Sequence, residues 1–391
     1  MKTSSAQKQS SFQEEFIPFV KPYLSKNTLN YLAQSLETNQ IQGDGIFTKK
    51  CHQFLEDSTK TQKALLTHSG TAALELATLL IDLKEGDEVI IPSYTFSSTA
   101  NAVVLRGATP IFIDIREDTL NLNENLIEGA ITPKTKAIFP VHYAGVSANM
   151  EQINKIAQSY NLFVIEDAAQ GVGAFYKGKP LGTLGHFGAY SFHATKNIIS
   201  GEGGALLINY EEFTELAEIM REKGTNRSQF IRGEVDKYTW EEKGSSFLPS
   251  DLTAAMLLSQ LEEMNDINKN RMSIWNTYHS SFESLEKEGY LTRPFIPLDC
   301  LHNAHLYYVI VKTPMIRENL LKFMKENGVQ CTSHYVPLHS APAGVKYGKS
   351  FGDLHITNKI ADQIVRFPLW PQMTSDNLAH ITRLITSFFR C

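Results

Sequence analysis

The sequence predicts an α/β protein: a large domain on a mainly parallel sheet, then a smaller α+β C-terminal domain. Three observations predict it. Short runs rich in Ile, Val, Leu and Phe recur between residues 64 and 208, unbroken rather than alternating, as in strands buried on both faces. Helical stretches separate them, as the crossovers of a parallel sheet require. Beyond residue 290 the pattern becomes strand, helix, strand and a final helix.

The elements follow in order. Residues 1–16 are polar and read as a flexible tail, residues 17–265 as the large domain and 266–391 as the small one. Residues 18–60 carry mixed helical signals, with a turn-rich loop at 42–47 whose Gly43 and Gly45 suggest close backbone approach or positive φ; a simple connection is the alternative. Strands are predicted at 64–67, 88–91, 109–113, 137–141 and 162–165, and helices at 71–82, 97–105 and 150–160. Two further strands, 188–192 and 205–208, flank a glycine-rich turn. A long helix is predicted over 249–276, with apolar Leu252, Ala255, Met256, Leu258 and Leu261 at helical steps. The small domain should contain strand 306–311, helix 316–327, strand 330–335 and helix 377–389.

Composition narrows the class. The 391 residues are 42% hydrophobic and 20% charged, with a net charge of −5, so charge suggests no nucleic-acid partner. No apolar run approaches the ~20 residues of a membrane helix, and the N-terminus lacks a signal-peptide stretch. The four cysteines (Cys51, Cys300, Cys331, Cys391) are widely spaced, form no metal pattern, and read as reduced thiols of a cytoplasmic protein.

In such sheets ligands sit beyond the carboxyl ends of the strands. The loops there carry H-S-G-T-A-A (68–73), P-S-Y-T-F (92–96), H-Y-A-G (142–145) and E-D-A-A-Q-G (166–171). Ser69, Gly70 and Thr71 open a helix and suit a phosphate cradle, although the same residues serve as ordinary caps. Asp167 ends a strand, where a buried carboxylate needs a cationic partner such as a protonated pyridine nitrogen; a capping Asp is the plainer reading. Gln170 stands three residues on, and Phe96 or Tyr94 offers a ring to cover another ring. Lys196 occupies the turn between two buried strands, where desolvation lowers an amine's pKa and makes it a nucleophile; a surface lysine on a hairpin is the alternative. Lysine, aspartate and phosphate cradle together are the parts of a pyridoxal 5′-phosphate site. His193, His142 and Tyr143 suit either a pocket wall or packed structure, and Arg227 and Arg232 either a diphosphate or the surface.

The runs S-G-T-A-A-L, P-S-Y-T-F-S-S-T-A-N-A, V-I-E-D-A-A-Q and S-F-H-A-T-K-N-I-I-S-G-E-G-G resemble the DegT/StrS family of PLP-dependent sugar aminotransferases. The likeness runs from about Ile17 to Ile385 and implies an aspartate-aminotransferase-type fold (PLP fold type I). P-V-H-Y-A-G-V, R-E-K-G-T-N-R-S-Q-F, V-D-K-Y-T-W and H-Y-V-P-L-H are similar to the subgroup of dTDP-4-amino-4,6-dideoxygalactose transaminases. The resemblance implies Lys196 as the Schiff-base lysine, Asp167 as the pyridinium partner and Gln170 near the ring oxygen. It also implies Gly70, Thr71 and Ser191 as phosphate binders, Phe96 as the stacking aromatic, and His334 and Tyr335 near the nucleotide-sugar. There is one departure: where many members carry G-x-N-x-R, this chain has Gly244-Ser245-Ser246-Phe247-Leu248, so only Ser246 stands where an Asn usually reaches the partner's cofactor phosphate.

The implied reaction takes an amine from L-glutamate to a dTDP-4-keto-6-deoxyhexose, giving the galacto product and 2-oxoglutarate. The gluco epimer, or a C-3 ketosugar, is the alternative. A sugar dehydratase of this fold would place histidine at Lys196, and a non-catalytic sensor would not need Lys196, Asp167 and Gln170 together. The family likeness further implies a cytoplasmic homodimer and surface-glycan precursor synthesis, of the lipopolysaccharide O-antigen or enterobacterial common antigen kind.

Overall fold

The apolar runs form one eight-stranded sheet in this computed structural model, which describes residues 16–390. Across the sheet the strands are Lys63–Thr67, Gly204–Ile208, Phe187–Ser191, Phe163–Asp167, Thr135–Ile138, Glu88–Pro92, Thr109–Ile113 and Lys349–Ser350. Gly204–Ile208 runs antiparallel to both neighbours. All other pairs are parallel. Helices cover both faces: Gly70–Leu80 packs with Leu65, Val89, Ile165 and Leu206 on one, and Met150–Tyr160 with Ile90, Ile138 and Val164 on the other. Asn149 caps Met150–Tyr160 by accepting from Gln152 N–H, and Asn161, left-handed at φ 54°, ends it.

The boundaries depart from expectation where a local rule intervenes. The strand expected at 137–141 is Thr135–Ile138, because Pro140 has no N–H for the ladder; Val141 then makes a single bridge to Asp167. The helix expected over 249–276 is two helices, Asp251–Glu262 and Met264–Ser281. They meet at Glu263, whose carboxylate accepts from Tyr23 O–H (2.6 Å) and Lys26 N–H (3.3 Å). The apolar spacing continues through the break and conceals it.

The C-terminal lobe is built on a three-stranded antiparallel sheet, Leu291–Thr292, Tyr307–Val311 and Ile364–Phe367. The strand expected at 330–335 is not formed: the segment makes one bridge, Thr332 to Arg366, while Val329 and Cys331 pack into the core beneath it. The partner of Tyr307–Val311 is instead I-V-R-F at 364–367, a run that sequence reading passed over. Ile17 also belongs to this lobe's core and bridges to Val329, so the chain's early residues are shared between the lobes.

Gly43 and Gly45 serve close approach: a Cβ on Gly45 would meet the Asp251 carboxylate at 2.5 Å. That carboxylate accepts from Phe47 N–H, Thr48 N–H and Thr48 O–H. Cys51, Cys300 and Cys331 are free thiols. The expected tail, up to residue 15, and Cys391 lie outside the described residues. Among those described, no helix is long and apolar enough to cross a membrane.

Candidate active site

The strand ends and the C-terminal lobe enclose a cavity of about 720 Å³. Lys196, half-buried on the 192–203 loop between two antiparallel strands, stands in its wall. Burial pushes its amine below the ordinary lysine range; the Asp167 carboxylate opposes that shift, and the Arg366 guanidinium adds to it. The amine is therefore a better nucleophile than a surface lysine.

Asp167 ends its strand 5% exposed. Its Oδ2 accepts from Thr99 O–H at 2.7 Å and its Oδ1 from Ala169 N–H at 3.2 Å. Thr99 shares a further hydrogen bond with Thr95 (2.8 Å); since Thr99 gives its proton to a carboxylate, Thr95 is the donor to Thr99. Both donors to Asp167 are uncharged, so a buried acid faces the cavity with no cation among the described residues hydrogen-bonded to it.

Ser69 caps helix Gly70–Leu80 by accepting from Ala72 N–H. Gly70, Thr71 and Ser191 all line the cavity. The turn lies hard against the strand ends. A Cβ on Gly70 would meet Ser191 Cβ at 2.8 Å, and one on Gly204 would meet the Ser69 carbonyl at 2.4 Å. Thr71 O–H pairs with Ser98 O–H at 2.6 Å. Helix-start amides and hydroxyls thus converge as an anion cradle.

Gln170 lines the cavity with its amide engaged at both ends: Oε1 accepts from Ala144 N–H (2.7 Å), and Nε2 donates to Tyr335 O–H (2.9 Å). Tyr335 stacks on His334, which hydrogen-bonds Tyr143 O–H at 2.7 Å. Phe96 lies at the cavity, 58% exposed, its ring 6.3 Å from that of Tyr335; Tyr94 is buried behind it. His193 lines the cavity with Nδ1 on Thr195 O–H (2.9 Å).

Two expected residues are not brought in. Arg227 and Arg232 lie on helix Arg227–Arg232 and do not line the cavity. Arg232 is committed to Glu218 (2.7 Å) and Glu234 (2.8 Å), and Arg227 stands 3.9 Å from Glu222. His142 and Tyr143 are fully buried behind the wall. His142 Nδ1 accepts from Ala148 N–H, so its Nε2 holds the proton and donates to Glu166 at 2.7 Å. Glu166 also accepts from the amides of Gly182, Leu184 and Gly185.

The polar wall residues that sequence reading missed include Arg271, His305 and Arg366. Arg271 and His305 lie in stretches without turn chemistry, and Arg366 interrupts an apolar strand, the one signal that marked it.

The architecture is that of the fold type I aminotransferases, which depend on pyridoxal 5′-phosphate. The chain belongs to the DegT/DnrJ/EryC1/StrS aminotransferase family, matching it over residues 22–386, and is an aminotransferase. It is 33% identical over 387 residues to the spore coat polysaccharide biosynthesis protein SpsC of Bacillus subtilis, covering 95% of this chain and 97% of that one. It is 35% identical over 380 residues to an uncharacterized protein of Methanocaldococcus jannaschii, with 95% and 97% covered. Among solved structures, an aminotransferase from Psychrobacter cryohalolentis superposes with TM-score 0.90 at 27% identity, covering 95% of this chain and 99% of that one. DesV of S. venezuelae, in complex with a ketimine intermediate, superposes with TM-score 0.87 at 28% identity, covering 96% and 99%.

Proposed function

We propose that the chain transfers the amino group of L-glutamate to C-4 of a dTDP-4-keto-6-deoxyhexose, giving dTDP-4-amino-4,6-dideoxygalactose and 2-oxoglutarate. One observation carries the reading: Lys196 and a buried Asp167 supplied only with neutral donors face the same cavity. The cofactor fits these residues. Asp167 has acceptor capacity for a cationic ring N–H, and the amides of Gly70 and Thr71 with the Ser191 hydroxyl suit its phosphate.

When bound there, pyridoxal 5′-phosphate supplies an aldehyde for the amine and a ring that draws off carbanion charge. Asp167 holds the ring nitrogen's proton, and the Thr95–Thr99 relay fixes Oδ2 in place. Phe96 would cover a ring face, and Gln170 holds Tyr335 in the cavity wall through Nε2. Lys196 Nζ takes the proton from the glutamate α-carbon as base and later returns one at the sugar carbon as acid. Its proton affinity, lowered by burial, favours the base role. His334, Tyr335 and His193 meet the sugar nucleotide. Within this reading residues 17–265 form the cofactor domain and 266–391 the small domain, in a cytoplasmic homodimer. The likeness of P-V-H-Y-A-G-V and H-Y-V-P-L-H to the galacto-type subgroup, and of the whole chain to a polysaccharide biosynthesis protein, supports the choice of substrate.

The test is to incubate the enzyme with glutamate and dTDP-4-keto-6-deoxyglucose and read the product's ring couplings by NMR. A small H3–H4 coupling, from an axial amine, is expected. A large one would give the gluco epimer, and no amination would remove the substrate assignment.

A further inference from the structure

Lys196 has a neighbour that the reaction above leaves unused. Asn197 is 5% exposed and does not line the cavity. Both donors and the oxygen of its side-chain amide are engaged by residues 71 to 108 places further along the chain. Nδ2 donates to Asn268 Oδ1 (3.0 Å) and to the Asn303 carbonyl (2.8 Å), and Oδ1 meets His305 Nδ1 at 3.0 Å. A backbone carbonyl only accepts, so the amide has one orientation, and Oδ1 is the acceptor from His305. His305 therefore carries its proton on Nδ1. Burial first, then the charges of Lys196 and Arg271, hold its ring neutral.

The segment that grips Asn197 is itself built to stay put. Residues 302–306 form neither helix nor strand. Ala304 is left-handed at φ 50°, a conformation that a residue with a Cβ keeps only where its surroundings impose it. Here they do. Ala304 N–H donates to His302 Nδ1 (3.2 Å), and Arg271 donates to the carbonyls of Ala304 (3.1 Å) and His305 (2.6 Å). Asn303, 2% exposed, donates through Nδ2 to the carbonyls of Gln170 and Val172, both at 2.9 Å. A Cβ on Gly145 would meet Asn303 Oδ1 at 2.1 Å. One short stretch of the C-terminal lobe thus holds the loops that carry Lys196, Gln170 and Gly145.

Past Asn197 the chain enters the interior, with Ile198 fully buried in the core. Before it, Lys196 N–H donates to the His193 carbonyl at 2.9 Å. Adjacent Cα atoms lie ~3.8 Å apart, so where Asn197 is fixed, Lys196 is carried with it. An apolar residue at 197 would fill its space in more than one way. A buried amide is stable only in the geometry that meets its partners.

We propose that Asn197 is a positioning residue: clasped by Asn268, Asn303 and His305, it sets where in the cavity wall the Lys196 amine stands, so that the C-terminal lobe aims the reacting group of the large sheet. The inference rests on the role given to Lys196 above but not on which sugar is aminated.

The test compares two forms of the cofactor on the full-length protein freed of it. Pyridoxal 5′-phosphate has an aldehyde that Lys196 must meet. Pyridoxamine 5′-phosphate has an amine there, makes no bond to the lysine, and has the same ring and phosphate. A reacting group misplaced by ~1 Å costs up to ~100-fold in rate. Asn197→Ala should therefore slow capture of the aldehyde form, read from its visible absorbance, by about tenfold or more, and leave calorimetric affinity for the amine form within about twofold. Asn268→Ala should show part of the same loss, and Asn268→Asp, which keeps an oxygen to accept from Asn197, should restore it. Equal capture by wild type and Asn197→Ala overturns the proposal. So does an equal loss for both cofactor forms, the mark of a tie that serves packing alone. If Asn197→Ala does not fold, the Asn268 pair decides, and capture equal in those two variants overturns the proposal. Lys196→Ala is the control. If it captures the aldehyde form as wild type does, the lysine's role falls and this inference with it; if it does not, a normal Asn197→Ala sinks the positioning alone.

Discussion

At Lys196 the chemistry turns on where one proton sits. The protonated amine cannot add to an aldehyde, and burial shifts its titration below the ordinary lysine value. Uptake of pyridoxal 5′-phosphate by the stripped enzyme should therefore accelerate as pH rises, through a midpoint below that of a free lysine side chain. Stopped-flow absorbance reads it; a midpoint at or above the free value contradicts the desolvated environment. Lys196→Ala should abolish turnover and the visible band that glutamate bleaches in the wild type, and retention of near-normal rates would remove the residue from the reaction. Asp167 carries a second expectation. Thr99→Val keeps its shape but takes the hydroxyl from Oδ2. Deleting a hydrogen bond to a charged acceptor costs roughly 1.5–3 kcal/mol, so cofactor retention on dialysis should fall by about tenfold or more, with little change in KM for glutamate.

The cradle belongs to the scale of elements, because three of them must touch to make it. The start of helix Gly70–Leu80 presses on strand ends at Ser191 and Gly204, and glycine at 204 is what permits it. In Gly204→Ala the new methyl carbon falls within 2.4 Å of the Ser69 carbonyl, so the turn must lift from the sheet. Overpacking of this kind costs about 1–3 kcal/mol; urea unfolding should show that loss, together with weaker cofactor binding, and a variant equal to wild type in both would show the cradle to be pliable. These same elements were legible in the sequence. Unbroken apolar runs located the strands that end in Asp167 and Ser191 and those that flank Lys196, since full burial writes itself into composition. The loop residues followed because the ends of parallel strands have a known use. What stayed hidden was set by contacts distant in the chain. The break at Glu263 depends on Tyr23 and Lys26, more than two hundred residues earlier. The pairing of 364–367 rather than 330–335 depends on which run meets Tyr307–Val311, and the run that does so is only four residues long and interrupted by Arg366. Arg227 and Arg232 read as anion binders by charge alone, and nearby glutamates took them.

At the scale of the molecule the cavity is a joint product, its floor from the large sheet and one wall from the C-terminal lobe through His334, Tyr335 and Arg366. The chain also leaves Phe230, Ile231, Tyr238 and Trp240 on its surface, Trp240 being 77% exposed. Large apolar side chains gathered on one segment mark an interaction surface, and sedimentation at micromolar concentration should give twice the 43.9 kDa of the single chain; a monomer would oppose the homodimer. Glu166 shows how the floor is kept still. It follows the strand's alternation and so turns away from the cavity, into an interior where His142 and the amides of Gly182, Leu184 and Gly185 all close on it. It acts as a rivet driven through the sheet beside Asp167. The acid that meets the ring cannot creep along or twist without tearing four fastenings on the opposite side, so stiffness at the reacting face is secured from behind.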